Sequence, residues 1–430
     1  MKSQFNNIEE WLDWQQTLHP KNIDFKIERI KSVYKKLKIK SIAKKVITIA
    51  GTNGKGSTAA LLESILHENG FSVGSFTSPH MMDYNERIKI NKKEAETNKI
   101  IEAFKVIDKC RGKVTLTYFE FATLTAFYLF HNSNLDYAIL EVGLGGRLDA
   151  TNIIDSDISI ITSIGIDHVE FLGSTIDSIA LEKAGVMRPF HHCIFAQANP
   201  PISLLKYAKK NSTHFLYNEN DFYLKISKKN WSWKNKFLKL DDLPLLSLKG
   251  NFQYCHAAAA ITALYYLSPE ILENRDHLHR GLKNTSLLGR YQIISHEPEI
   301  VLDVAHNADA AKQLHKNLLE SPRKKNIAVI GVLEDKDVYS LVKPMKSLID
   351  EWYCGTINNE RGMNAKEIEC RISSTIETEH ISHYSSIIEA YNKAIESLRK
   401  EDRLIVYGSF YTVSEILKYK KFTKKIVINA

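Results

Sequence analysis

Val46-Ile-Thr-Ile-Ala-Gly-Thr-Asn-Gly-Lys-Gly-Ser-Thr58 runs a β-branched segment straight into a glycine-rich turn. Residues 46–50 (VITIA) read as a buried parallel strand, because an unbroken apolar run suits a strand covered on both faces. Residues 57–69 follow with Leu61, Leu62, Ile65 and Leu66 at helical spacing, and Gly70 stands where a C-terminal cap belongs. A turn of this kind between strand and helix offers backbone N–H groups and the positive helix end to phosphate oxygens. Lys55 has the reach for β- and γ-phosphate oxygens, and the Ser57 hydroxyl can meet Mg²⁺. The strict pattern G-x-x-x-x-G-K-[ST] is not met: Ile49 holds the first glycine position, and Gly56 separates Lys55 from Ser57. A nucleoside triphosphate site is the favoured reading, and a glycine-rich turn without a ligand is the alternative.

The alternation of strand and helix continues on both sides of the turn. Residues 137–142 (YAILEV) and 158–164 (ISIITSI) read as further buried strands, and a helix is expected from about Thr175 to Ala184, ended by Gly185 and Pro189. Such alternation predicts an α/β fold with a parallel sheet. Residues 214–248 are aromatic and alternating, which predicts antiparallel hairpins and an extension of the first domain. Residues 256–267 form an Ala-rich helix, and 282–290 (LKNTSLLGR) a linker. The alternation then restarts with strands at 300–304, 327–332 and 404–407 and helices at 309–319 and 337–348. The chain is therefore divided into 1–287 and a smaller α/β domain, 288–430.

With 430 residues, the chain suits two or three domains, at roughly 150 residues each. Hydrophobic residues make up 44% and charged ones 25%, which excludes intrinsic disorder. The longest apolar stretch, 158–166, falls far short of the roughly 18 residues that cross a bilayer. The opening MKSQFNN lacks a signal-peptide apolar block. Five cysteines without a C-x-x-C pair fit a reduced cytoplasm and argue against a disulfide framework or zinc ribbon. The net charge of +8 is concentrated in six lysines between Lys35 and Lys45 and five between Lys418 and Lys425. A nucleic-acid patch is one reading of these clusters; solvated surface is the simpler one. His191-His192-Cys193 is not read as a metal site, because neighbouring strand residues face opposite ways.

The order of short blocks along the chain carries further information. GTNGKGST (51–58), TSPHMMDYNERI (77–88), LEVGLGGRLDATN (140–152), TSIGIDHVEFLG (162–173) and EKAG (182–185) are followed by GRYQ (289–292), LDVAHN (302–307), GVLEDKD (331–337) and YGSF (407–410). Together they resemble the folylpolyglutamate synthase/dihydrofolate synthase family of Mur-type ligases, over nearly the whole chain. The resemblance implies a P-loop mononucleotide-binding N-terminal domain and a smaller Rossmann-like C-terminal domain, with the site in the cleft between them. It implies an ATP- and Mg²⁺-dependent ligase of folate biosynthesis and one-carbon metabolism, acting through an acyl phosphate. The substrates would be dihydropteroate, reduced folates and L-glutamate, as in the bifunctional bacterial type, with the protein a cytoplasmic monomer that binds neither nucleic acid nor membrane.

Residue roles follow from the same resemblance. Thr52, Asn53, Gly54, Lys55, Gly56, Ser57 and Thr58 would bind ATP, joined by Arg290, Asp303 and His306 from the second half, with Lys336 a weaker candidate. Two Mg²⁺ ions would be held by Ser57, Ser78, Glu141, His168 and a carbamylated Lys183, and Lys55, His168 and Lys183 would be catalytic. His256 stands where the family pattern G-x-[HF]-Q-x-x-N-A-A has Asn, so its nucleotide contact differs. The pteroyl substrate would meet Ile23, Asp24, Thr117, Tyr118, Phe119 and Glu120, with Phe119 and Phe121 stacking on the heterocycle. Arg147 and Asp149 would lie near its carboxylate. A cell-wall Mur ligase would need about a hundred residues of uridine-nucleotide-binding domain before the P-loop, and only 50 residues precede Gly51. A P-loop switch or nucleic-acid-dependent NTPase using the basic clusters is the alternative of another class.

Overall fold

The computed structural model describes residues 5–428, with side chains to residue 421. Lys424 and Lys425 of the second basic cluster lie outside the described side chains. Two compact units divide the chain: residues up to Ser247 with Gln253–Ser286, and Leu248–Phe252 with Leu287 onward.

The first unit is built on an eight-stranded sheet. Its strands are β1 (Lys45–Ala50), β2 (Val73–Phe76), β3 (Ile88–Ile90), β4 (Lys93–Glu94), β5 (Tyr137–Glu141), β6 (Ile158–Ile161), β7 (His192–Phe195) and β8 (His214–Tyr217), in the order β4-β3-β2-β5-β1-β6-β7-β8. Strands β2, β5, β1, β6, β7 and β8 are parallel, and β3 and β4 add an antiparallel edge. β1 lies between β5 and β6, and the chain leaves it first toward one side of the sheet and later toward the other. Ligands of open parallel sheets bind at such a switch point, beyond the carboxyl ends of the strands. Register sets the neighbours there: Ile49 pairs with Glu141 and Ala50 with Ile161. The end of β5 and the residues after β6 therefore flank the turn after β1.

Helices α1 (Ile8–Thr17), α2 (Ile27–Leu37), α3 (Lys55–Glu68), α4 (Thr97–Arg111) and α5 (Tyr118–His131) follow in chain order. Trp11, Phe104, Phe121, Phe127 and Phe130 are fully buried in one cluster with Phe76 and Leu140 of the sheet. The His214–Leu248 stretch is corrected by the structure. His214–Tyr217 is the parallel edge strand β8, reached from β7 through a helix at Ile202–Lys210, and pairs with β7 in parallel. Only β9 (Phe222–Ile226), β10 (Asn230–Asn235) and β11 (Lys239–Pro244) form the antiparallel sheet. Its buried Trp233 donates through Nε1 to Thr262, at 3.0 Å, on the helix Phe252–Leu267.

The second unit carries β12 (Gln292–His296), β13 (Glu299–Leu302), β14 (Asn326–Ile330), β15 (Glu351–Gly355), β16 (Ile381–Tyr384) and β17 (Arg403–Tyr407), in the order β12-β13-β17-β14-β15-β16. All but β12 run parallel. The helix expected over 337–348 is shorter, Val338–Val342, and the sequence reading left β15, β16 and the helices Ala365–Ile372 and Ile387–Ser397 unassigned. At the entry to β17, Arg403 is fully buried. Its guanidinium donates to Glu299, Asn326 Oδ1 and the carbonyls of Leu318 and Ser321. Glu299 keeps a second cation, Arg323, at 2.5 Å, so the loss of Arg403 falls mainly on the oxygens of Leu318, Ser321 and Asn326, which lose a buried charged donor. Arg403→Met is therefore expected to lower stability by about 3–5 kcal/mol in urea unfolding.

Candidate active site

The turn after β1 is defined by two glycines at positive φ. Gly51 (φ +146°) has Thr162 so close that a Cβ would fall on its hydroxyl, and Gly54 (φ +88°) has the His256 ring in the same relation. His256 is buried, and its Nδ1 lies 3.1 Å from Gln253 Oε1. The side chain at the family's Asn position thus packs directly on the turn.

The turn's polar groups divide into two sets. The Thr52 N–H donates to the Ser163 carbonyl and the Asn53 N–H to Ser163 Oγ, both at 2.9 Å. The Thr58 hydroxyl donates to the Gly54 carbonyl at 3.0 Å. For Thr52, Asn53 and Thr58 the structure therefore shows bonds within the protein. The first intrahelical bond is Thr58 N–H to Gly54 O, at 2.9 Å, so α3 offers no i−4 acceptor to the amides of Gly54 through Ser57. Those amides are the ones a phosphate could meet. Lys55 Nζ donates to the carbonyls of Gly51 and Thr52 at 3.0 and 3.2 Å, folded over its own loop.

The metal candidates sit around this turn as a mixed oxygen and nitrogen set. Ser57 Oγ is buried without a hydrogen-bond partner, an arrangement that costs free energy unless a ligand completes it. Glu141 ends β5 almost fully buried and accepts the Ser78 N–H at 3.2 Å. His168 (φ +51°) precedes a short helix, Val169–Leu172, and its N–H donates to Asp167 at 2.8 Å. Lys183, in the last turn of the helix Ile176–Ala184, is 4% exposed. Burial brings its pKa down to about 7, helped by the charge of Lys55 and opposed by Asp167 and Asp149. Two hydroxyls, a carboxylate and an imidazole fit a hard divalent cation that keeps some of its water.

Lys183 is held by its neighbours. The Arg147 N–H donates to the Glu182 carbonyl, its side chain pairs with Glu182, and Asn152 Nδ2 donates to the Gly185 carbonyl, at 2.8, 2.8 and 2.9 Å. Arg188, which the sequence reading passed over, donates to carbonyls of Asn152, Ile154, Gly185, Val186 and Met187. Asp149 is buried and accepts from Leu144 N–H, Thr151 N–H and the Thr151 hydroxyl. These bonds close the loop 144–151, and burial raises the pKa of Asp149.

The two segments expected to meet the substrate are joined to each other. Arg29 donates to Asp24 Oδ2 at 2.5 Å and to both Glu120 oxygens at 3.0 and 3.1 Å. Glu120 also accepts the Thr117 N–H at 2.8 Å, in a capping box at the start of α5. Both carboxylates therefore already have a cationic partner in Arg29. The structure corrects the expectation for Phe121, which is fully buried between Trp14 and Phe104, at 6.0 and 5.5 Å between ring centroids, and cannot stack on a ligand. Phe119 is partly exposed, lies against Phe76 at 5.7 Å and faces Gly143. Tyr118 lies under the Arg87 guanidinium at 5.4 Å, and Ile23 is exposed.

In the second unit, Arg290 lies over the Phe410 ring at 5.2 Å and His306 packs on the same ring at 5.8 Å. Asp303, at the carboxyl end of β13, accepts the N–H groups of Tyr291 and Ala305, both at 2.8 Å, and its enclosed position raises its pKa. Lys336 Nζ lies 3.7 Å from Asp335. Phe410 closes the YGSF block, and its ring is the surface on which the Arg290 and His306 side chains rest.

The descriptions "Mur ligase middle domain" and "Mur ligase, glutamate ligase domain" match residues 49–264 and 289–410. A curated relative from Haemophilus influenzae, "Dihydrofolate synthase/folylpolyglutamate synthase", is 38% identical over 427 residues, covering 95% of this chain and 96% of the relative. The structure "E.coli FolC in complex with DHPP and ADP" superposes with a TM-score of 0.92 at 34% identity, covering 97% and 99% of the two chains. A bifunctional folylpolyglutamate synthase/dihydrofolate synthase "with Mn, AMPPNP and L-Glutamate bound" superposes with 0.91 at 35% identity, covering 98% and 100%. Gly54→Ala is expected to weaken ADP binding at least tenfold in calorimetry, because a Cβ there meets both an unfavourable φ and the His256 ring.

Proposed function

The chain belongs to the dihydrofolate synthase/folylpolyglutamate synthase family of Mur ligases, and on that premise we propose that it joins L-glutamate to dihydropteroate and to the glutamate tail of reduced folates, using ATP. Residues 1–287 carry the ATP and pteroyl sites in this reading, and 288–430 form the glutamate-ligase domain. The observation that carries it is the set of buried donors around the turn after β1: Ser57 without a partner, Glu141 at the neighbouring strand end, and Lys183 beside Lys55.

The chemistry suits these residues. A carboxylate is a poor electrophile, so its oxygen attacks the γ-phosphorus of ATP and ADP departs. The glutamate amine, having lost a proton, then attacks the acyl carbon and phosphate departs as the amide forms. Positive charge and oriented dipoles must hold the polyphosphate and the developing oxyanions. The helix-start amides of α3 take phosphate oxygens, and Lys55 exchanges its hold on the Gly51 and Thr52 carbonyls for β- and γ-oxygens. Ser57, Ser78, Glu141, His168 and Lys183 would hold two Mg²⁺ ions, which supply charge neutralisation at the transferring phosphoryl group. Arg290, Asp303 and His306 are the second domain's candidate nucleotide residues. Ile23, Asp24, Thr117, Tyr118, Phe119 and Glu120 position the pteroyl group, the two acids through Arg29.

Lys183 joins the metal ligands as a carbamate in this reading. Its depressed pKa supports this, because only the neutral amine attacks CO₂, and at about 7 much of it is neutral under physiological conditions. Five free cysteines, two of them fully buried, fit the reducing cytoplasm, where the protein would work as a monomer.

Mass spectrometry of products tests the activity. Dihydropteroate with glutamate and ATP should yield dihydrofolate, and 5,10-methylene-tetrahydrofolate should gain glutamyl units. Phosphate release that ignores both substrates and responds to DNA or RNA would overturn the reading. Equilibration with ¹³C-bicarbonate and Mg-nucleotide should give a carbamate carbon signal that Lys183→Met lacks; no signal in the parent protein refutes the modification. His256→Asn should change KM for ATP and leave KM for glutamate as it is; an unchanged KM for ATP makes residue 256 a bystander.

A further inference from the structure

A cradle made of peptide groups attracts phosphate only while its N–H groups face inward and its carbonyl oxygens are held elsewhere. Every carbonyl from Ala50 to Gly54 has such a hold. The Ala50 carbonyl accepts the Thr162 N–H at 2.9 Å, those of Gly51 and Thr52 accept Lys55 Nζ, and that of Gly54 accepts the Thr58 N–H and hydroxyl. The Asn53 carbonyl is different. Two side-chain hydroxyls from outside the turn hold it: Thr162 Oγ1 at 2.6 Å and Ser163 Oγ at 3.0 Å. Ser163 Oγ also accepts the Asn53 N–H at 2.9 Å, so one hydroxyl grips the residue at both ends.

The same strap continues along the turn. The Ser163 carbonyl takes the Thr52 N–H at 2.9 Å. The Thr52 hydroxyl donates to the Gly165 carbonyl at 3.1 Å and accepts the Gly165 N–H at 3.0 Å. Thr162 is 1% exposed and follows β6 directly, so its position is set by the sheet. The hold is also lasting. Lys55 must leave the Gly51 and Thr52 carbonyls to reach phosphate, whereas Thr162 and Ser163 have no such task.

We infer that Thr162 and Ser163 are positioning residues for the nucleotide: their hydroxyls keep the Asn53 peptide turned so that its carbonyl oxygen faces away from the triphosphate. Without them this peptide can rotate and present an oxygen to the phosphates at the mouth of α3. The inference rests on the ATP reading above. It assigns two residues that touch no substrate but govern affinity for one.

Thr162→Val, Ser163→Ala and the pair are compared with the parent protein by ADP calorimetry and by steady-state kinetics. The double change should weaken ADP binding and raise KM for ATP about tenfold, because the Asn53 carbonyl is then buried without either hydroxyl, and each single change, which leaves it one, should shift both in the same direction by less. KM for glutamate and for the pteroyl substrate should stay within about twofold. Thr162→Ser keeps the hydroxyl and should return ADP affinity to within about threefold of the parent. Unchanged ADP affinity in the folded double variant overturns the inference. So does a parallel shift of all KM values, or a Thr162→Ser that behaves as Thr162→Val. A parent protein that binds no ADP refutes the ATP reading itself, and the inference with it.

Discussion

Peptide orientation at the end of a single strand governs the first unit. β1 lies between two parallel neighbours, and register brings Glu141 to one side of its last residues and Thr162 to the other. From that placement follow a carboxylate at the neighbouring strand end, a hydroxyl against Gly51 and a strap that runs on to Gly165. The turn is bonded from behind by side chains and open toward the amides at the start of α3. In the proposed role, negative charge would be drawn there because opposing oxygens are already engaged.

Charge elsewhere in this unit is similarly paired before any ligand arrives. Arg29 satisfies Asp24 and Glu120 together, and Arg188 gathers carbonyls from two segments around Lys183. Neither arginine touches a residue close to it in sequence alone; each closes contacts across tens of positions. Such clamps cost little flexibility at the site, because a planar guanidinium loses less freedom for each bond it makes.

Much of this was legible in the residues. The β-branched run before Gly51, the helical spacing of Leu61 to Leu66 and the order of the blocks pointed to the strand, turn and helix and to the candidate ligands. What escaped was tertiary. Nothing local in LYNENDFYL separates β8, a parallel edge strand, from the hairpins that begin five residues later, because both alternate. Phe121 looked available because aromatic residues at a helix start carry no sign of which face is covered. Thr162 and Ser163 stood in a quoted block, yet hydroxyls are common, and only the approach of β6 to β1 gives them a task. His256 against Gly54 is a contact over two hundred positions, invisible to spacing.

Phe410 supports both the Arg290 guanidinium and the His306 ring on one aromatic surface. These two polar groups therefore share one aromatic footing, although they stand 16 positions apart in sequence. Genetic variation at position 410 would be pleiotropic, altering the aim of a cation and of an imidazole in one step. Drift in this corner of the protein should accordingly proceed by correlated pairs, with the aromatic ring the last member to change.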